Sequence, residues 1–231
     1  MTAIFAYPLS NGWVIVGDRL ESDIHKTIRE REGYEVFPSQ MSIKIEENNS
    51  WILAFAGDSK QIDEKIKPIF YAYPKISRNF NKICSQIKNL YSDLDRLIGT
   101  EGLFFNILKN KCYKINFSEL NSEKLKDYMI NSIDNGFIGS GLDKCRGNAL
   151  LSSLIELKSY NFKRTPSKII RKSVSVLNNI SILDFQFTGS PYIYGCDIFI
   201  ISAGLVKKYE IIPDGFLFKG SMARKWVKID R

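Results

Sequence analysis

Thr2-Ala3-Ile4-Phe5-Ala6-Tyr7-Pro8-Leu9-Ser10-Asn11-Gly12-Trp13-Val14-Ile15-Val16-Gly17-Asp18-Arg19 is the stretch on which the reading of this chain turns. It holds two short apolar runs, Ala3 to Tyr7 and Trp13 to Val16, joined by Pro8-Leu9-Ser10-Asn11-Gly12. Asn-Gly between apolar runs is a strong hairpin signal, because both residues tolerate the positive φ of tight hairpin turns. The second run closes on Gly17-Asp18-Arg19, which sets a carboxylate at the end of an apolar strand.

Working outward, a polar segment from Glu21 to Gln40 precedes a second pair of runs, Ile43 to Glu46 and Trp51 to Ala56. Glu47-Asn48-Asn49-Ser50 lies between them and reads as a second hairpin turn. The period then changes. Asp58 is a plausible N-cap for a helix starting at Ser59, with Pro68 bending or ending it. Ile76, Phe80, Ile83, Ile87, Leu90, Leu94 and Leu97 alternate spacings of four and three, one apolar helix face that stops at Gly99. Strand-like runs return at Leu103 to Leu108, Cys112 to Phe117 and around Ile133 to Ile138. A helix is expected from Gly139-Ser140-Gly141 to about Lys158, and another from Thr165-Pro166, with Ile170, Val174 and Leu177 on its apolar face. Cys196 to Ser202, a turn at Gly204 and Leu205 to Ile212 finish the pattern. Blocks of strands alternating with pairs of helices argue for an α+β domain with mainly antiparallel sheet. No repeat or low-complexity linker divides residues 1–231, so a single domain is the simplest parse.

Composition narrows the function classes. The 231 residues are 44% hydrophobic and 25% charged, the balance of a globular chain with a substantial core. No run reaches the eighteen or so apolar residues of a membrane span, and the first residues lack a secretory pattern, so a cytoplasmic protein without a membrane partner is expected. Cys84, Cys112, Cys145 and Cys196 are far apart and read as buried thiols. His25 is the only histidine, which excludes a His-rich zinc site; no metal or cofactor is expected. It stands in the polar run His25 to Glu32, where a solvated loop is the plainer reading than a catalytic one. The net charge of +8 favours an acidic partner, yet the lysines are scattered among acids and no nucleic-acid-binding signature is present.

A scheme that needs no histidine is the N-terminal nucleophile. A hydroxyl needs a base, and a free α-amino group, titrating at about 7.7 to 8.0, can serve. Removal of Met1 would make Thr2 the first residue, its own amine acting as base, with the following apolar strand holding it still.

At these residues the chain resembles the proteasome β-subunit and HslV-like N-terminal-nucleophile hydrolases. Thr2-Ala3-Ile4-Phe5-Ala6, the hairpin, and Val14-Ile15-Val16-Gly17-Asp18-Arg19 look like the family's opening. Ile43-Lys44-Ile45 and Ile52-Leu53-Ala54-Phe55-Ala56-Gly57-Asp58 look like its lysine strand and its Ala-Gly turn. Phe137-Ile138-Gly139-Ser140-Gly141 resembles the turn before its third helix, and Cys196-Asp197-Ile198-Phe199-Ile200-Ile201 its late strand. Each motif is short; their order over nearly the whole chain carries the likeness.

The resemblance implies a four-layer αββα sandwich and threonine-type hydrolysis of peptide bonds, with Thr2 as nucleophile. It implies that Asp18, sixteen positions after Thr2, orients Lys44 and the amino terminus. The plainer alternative for Asp18 is a turn residue paired with Arg19. Lys44 beside Thr2 would lower the hydroxyl's pKa and favour a neutral amine; the alternative is an exposed strand lysine. By the same resemblance the Gly57 N–H would serve the oxyanion, Ser140 would offer a hydroxyl near the amine, and Asp184 would match the late acidic residue. The fit at Asp184 is poor, and Thr188 or Ser190 are alternative hydroxyl partners. Glu21 to Gln40 is longer than the family's corresponding segment, and Ala3 stands where a small hydroxyl residue is frequent. Peptide or unfolded-protein substrates and a homo-oligomeric ring follow by analogy; an ATPase partner is not identified. Three rivals stand beside this reading. One is a small-molecule amidase of the same fold, one an inactive structural or binding subunit that retains Met1, and one a basic nucleic-acid binder, whose binding would be strongly salt-dependent.

Overall fold

The computed structural model describes residues 3–19, 44–48, 50–57, 62–73, 82–83, 85–86, 89, 101–116, 136–138, 159–160, 166–188, 195–202, 204–213 and 226–230. Among the described residues, ten strands form two antiparallel sheets. Strands β1 (Ile4–Leu9), β2 (Gly12–Asp18), β7 (Gly136–Ile138), β8 (Cys196–Ser202), β9 (Leu205–Pro213) and β10 (Trp226–Asp230) make a six-stranded sheet in the order β10-β9-β8-β2-β1-β7. Strands β3 (Ile45–Asn48), β4 (Trp51–Ala56), β5 (Glu101–Asn106) and β6 (Lys111–Asn116) make a meander of four. A π-helical turn, Ile62–Ile66, runs into α1 (Lys67–Tyr71), and a long helix, α2, spans Pro166–Thr188.

The apolar runs become strands buried along their whole length: β1, β2, β4 and β8. An antiparallel strand with one wet face would alternate; a continuous apolar run signals cover on both faces. Three clusters provide that cover. Phe5, Val14, Val16, Ile198 and Ile200 of the larger sheet pack with Ile169, Ile170, Val176 and Leu177 of α2. Ile4, Ile15, Phe199 and Ile201 pack instead with Ile45, Ile52, Ala54 and Phe105, joining the two sheets. Trp51, Phe55 and Phe104, on the remaining face of the smaller sheet, pack with Ile62, Ile66 and Phe70. Each such large apolar side chain contributes about 1.5–3 kcal/mol relative to exposure.

Several boundaries depart from expectation, each for a local reason. The first hairpin pairs Leu9 with Gly12, so its two-residue turn is Ser10-Asn11, and Gly12 is a strand residue. A Cβ on Gly12 would lie 1.8 Å from the Ile201 carbonyl oxygen of β8, so close approach of backbones, not turn geometry, requires glycine. Pro8 sits in β1 beyond the three residues that β7 pairs, where no ladder donor is needed on that side. Pro68 does not end its helix. It stands in the first turn of α1, where a missing N–H leaves no acceptor unsatisfied, and the chain changes from π to α spacing just before it. β3 begins at Ile45, two residues later than expected; of the strand expected around 133–138, Gly136–Ile138 is described and forms β7. β10 was not anticipated: Trp226-Val227-Lys228-Ile229-Asp230 alternates charge with apolar residues, and the basic run masks its strand character. Of the helix expected over 76–97, positions 82, 83, 85, 86 and 89 are helical. The helix expected from residue 141 to Lys158 lies outside the described residues.

Two substitutions test this packing. Gly12→Ala forces the β2–β8 backbones apart and should lower unfolding stability by about 1–3 kcal/mol or more. Ser173 of α2 is buried, and among the described residues its hydroxyl finds no hydrogen-bond partner. Ser173→Ala removes that unsatisfied group and should leave stability unchanged or raise it by about 1 kcal/mol. Urea unfolding of both variants against wild type reads the two signs directly.

Candidate functional site

One end of the molecule gathers Asp18, Lys44 and Gly57. Asp18 is the last residue of β2 and lies opposite the residue preceding β1; Asp18 N–H donates to the Ala3 carbonyl at 3.1 Å. Cys196, the first residue of β8, pairs with Asp18, and Ile138, the last of β7, pairs with Ile4. On the second sheet Lys44 immediately precedes β3, and its carbonyl accepts the Phe55 N–H of β4 at 3.1 Å. Gly57 directly follows β4, two residues after Phe55 and at the same end, exposed and with φ of 136°.

The Asp18 carboxylate is almost wholly buried and accepts two hydrogen bonds. Oδ1 takes the Ala3 backbone N–H at 2.6 Å, and Oδ2 takes the Lys44 Nζ at 2.8 Å. The pair thus links the two sheets and ties both to the residue that follows Thr2. Burial pushes the Asp18 carboxyl above its ordinary range; the Lys44 charge and hydrogen bond, with the Ala3 N–H, oppose that push without cancelling it. Close approach makes the pairing feasible. A Cβ on Gly17 would meet Ile45 Cδ1 at 2.8 Å, so a glycine beside Asp18 lets β3 come near enough for Lys44 to reach.

Arg19 does not pair with Asp18. Its Nε and Nη2 grip the Asp197 carboxylate at 2.9 and 2.7 Å, and its Nη1 donates to Glu210. All three side chains are buried. Sequence reading passed over this triad, although a signal existed. Asp197 and Glu210 are charges inside apolar strands, and charges in such positions need partners.

Asp18 and Lys44 are therefore in contact, and Gly57 shares their end of the molecule. Thr2 and Ser140 lie outside the described residues. The backbone at Asp184 belongs to α2, as does that at Thr188; the Asp184 side chain lies outside the described residues. Cys112 and Cys196 are buried, and burial pushes both thiols well up, so they remain protonated. No helix among the described residues is long and apolar enough to cross a membrane.

Lys44→Met would strand the Asp18 carboxylate without its cation, a loss of about 3–5 kcal/mol. The sign with pH follows from a carboxyl raised on folding. Its stabilising contribution is full below the unfolded pKa and is lost as pH rises through the folded value. Without Lys44 the folded value climbs further, so the variant should lose more stability than wild type as pH rises above the ordinary carboxyl range. Asp18→Asn in the same background should remove the excess. Urea unfolding across that pH range checks both.

No family model matches the chain, and no curated protein does. Solved structures do. A mutant form of Anbu from Hyphomicrobium sp. strain MC1 superposes with a TM-score of 0.58 at 13% identity, over 93% of this chain and 89% of that one. HslV from Trypanosoma brucei superposes with a TM-score of 0.53 at 13% identity, over 87% of this chain and 99% of that one. At that identity the likeness concerns the fold: the chain has the fold of the proteasome-like N-terminal-nucleophile hydrolases.

Proposed function

We propose that the chain is a threonine-type peptidase of the proteasome-like kind, acting through Thr2 once removal of Met1 frees its amine. The observation that carries this reading is the Asp18 carboxylate held between the Ala3 N–H at 2.6 Å and the Lys44 Nζ at 2.8 Å. The Ala3 nitrogen is the amide nitrogen of the Thr2–Ala3 peptide. Asp18 therefore grips the atom covalently joined to the candidate nucleophile, and Lys44 comes with it. A cation beside an N-terminal threonine favours the alkoxide and the neutral amine, the two species the attack requires.

In the proposed reaction the Thr2 Oγ attacks the scissile carbonyl while its proton passes to the α-amine. The amine returns that proton to the departing amino group, leaving an acyl ester on Thr2. Water, deprotonated by the same amine, then releases the acid product and restores the hydroxyl. The Gly57 N–H is the proposed donor to the oxyanion, in keeping with its exposed position at the shared end of the sheets. Ser140 is the proposed hydroxyl near the amine. Asp184, on the helical backbone of α2, is the proposed acidic residue on the late side.

The three apolar clusters support reading the fold as a four-layer αββα sandwich, with α2 outside one sheet and the residue 62–71 helix outside the other. Peptide or unfolded protein as substrate, and assembly into a homo-oligomeric ring, belong to the same proposal.

Intact mass before and after an epoxyketone tests it. The expected result is loss of Met1 and one adduct per chain, absent in Thr2→Ala, with cleavage of unfolded protein falling about a thousandfold or more in that variant. Retained Met1 with no adduct would instead make the chain a non-catalytic relative of the same fold, and an adduct without cleavage of unfolded protein would favour a small-molecule amidase.

A further inference from the structure

We infer that Arg19 is a positioning residue for the candidate site. Its clamp on Asp197 and Glu210 fixes the point where β2 ends, and so holds the Asp18 carboxylate against Ala3 and Lys44. The inference rests on the reading of Thr2 as nucleophile and deepens it.

The end of a strand is ordinarily where pairing lapses and the backbone gains freedom. At Arg19 four bonds oppose that. The backbone N–H donates to the Gly195 carbonyl at 3.2 Å. Nε and Nη2 form a two-point fork on Asp197 at 2.9 and 2.7 Å, and Nη1 reaches Glu210. These partners belong to two strands. β8 lies beside β2 and β9 lies one strand beyond it, so a single guanidinium spans three strands. Asp197 and Glu210 are direct cross-strand partners, which lets one planar group meet both at a single level of the sheet.

The clamp and the carboxylate act on the same peptide. Cys196, Ile198, Tyr209 and Ile211 pack toward α2, whereas Phe199 and Ile201 pack toward the second sheet. By strand alternation Asp197 and Glu210 stand on the face toward the second sheet. The Asp18–Arg19 peptide is thus braced through both of its side chains, Asp18 on Ala3 and Lys44, Arg19 on Asp197 and Glu210. Nucleophilic attack is sensitive to misplacement on the ångström scale, so this bracing bears on rate more than on binding. A lysine at position 19 keeps the charge but cannot form the fork.

The test measures kinact and KI separately for an epoxyketone, alongside thermal unfolding, for mature wild type and Arg19→Lys. The expected result is a folded variant with unchanged KI and a kinact reduced about ten- to hundredfold. Should Arg19→Lys fail to fold, Asp197→Asn carries the same measurement, since it keeps one fork acceptor and predicts the same drop at unchanged KI. A folded variant with wild-type kinact overturns the positioning role and leaves the threonine-hydrolase reading intact. Wild type that takes no adduct overturns that reading, and the inference with it.

Discussion

A carboxylate removed from water must find charge and hydrogen bonds to replace its hydration, and in this chain Asp18 finds them on two different sheets. Lys44 arrives from the strand pair of the smaller sheet, and the Ala3 N–H from the start of β1. Either partner alone would leave a buried charge partly unsatisfied, at a cost of several kcal/mol. The arrangement is therefore coupled. The sheets must meet at the correct offset for Asp18 to be tolerated, and Asp18 in turn rewards that offset. The apolar side chains between the sheets drive association without specifying it closely; the ion pair supplies direction where the hydrophobic effect supplies none.

The closeness this requires is built into small residues. Gly17 leaves room for Ile45 directly beside Asp18, and Gly12 lets the β2 and β8 backbones approach at the opposite end of β2. Arg19, one residue beyond Asp18, extends the same logic across the larger sheet through Asp197 and Glu210. Two buried ionic groups thus flank one peptide bond, in a region whose other side chains are almost all apolar. The contacts that align the sheets thus also hold a carboxylate, a cation and the Ala3 amide together.

Much of this was legible in the residues. β1, β2, β4 and β8 announced themselves as apolar runs, and Asp18 and Lys44 as charges attached to such runs. Ile170 and Leu177 in the core of α2, with Val174 packed against it, follow the expected helical spacing. What escaped did so for identifiable reasons. Asn-Gly mimics a turn, but the glycine was needed for a backbone contact with Ile201, a residue distant in sequence. Strand β10 is an edge strand whose charges hide its period. α2 runs through Asp184 to Thr188, well past the Ile170, Val174 and Leu177 face from which the helix was read. The Arg19 triad depends on the register of β8 with β9, which local pattern does not reveal. In general, properties set by one strand and its own alternation were readable; those set by contact between distant strands were not.

The account stands on the hydrogen bond from Ala3 N–H to Asp18, since it couples the chain start to the ion pair. Amide-resolved NMR of the isotopically labelled protein reads it directly. The account predicts an Ala3 amide proton shifted well downfield, slow to exchange with solvent, and displaced upfield in Asp18→Asn. An Ala3 amide at an ordinary shift, exchanging as fast as an exposed terminus and indifferent to Asp18→Asn, would contradict it.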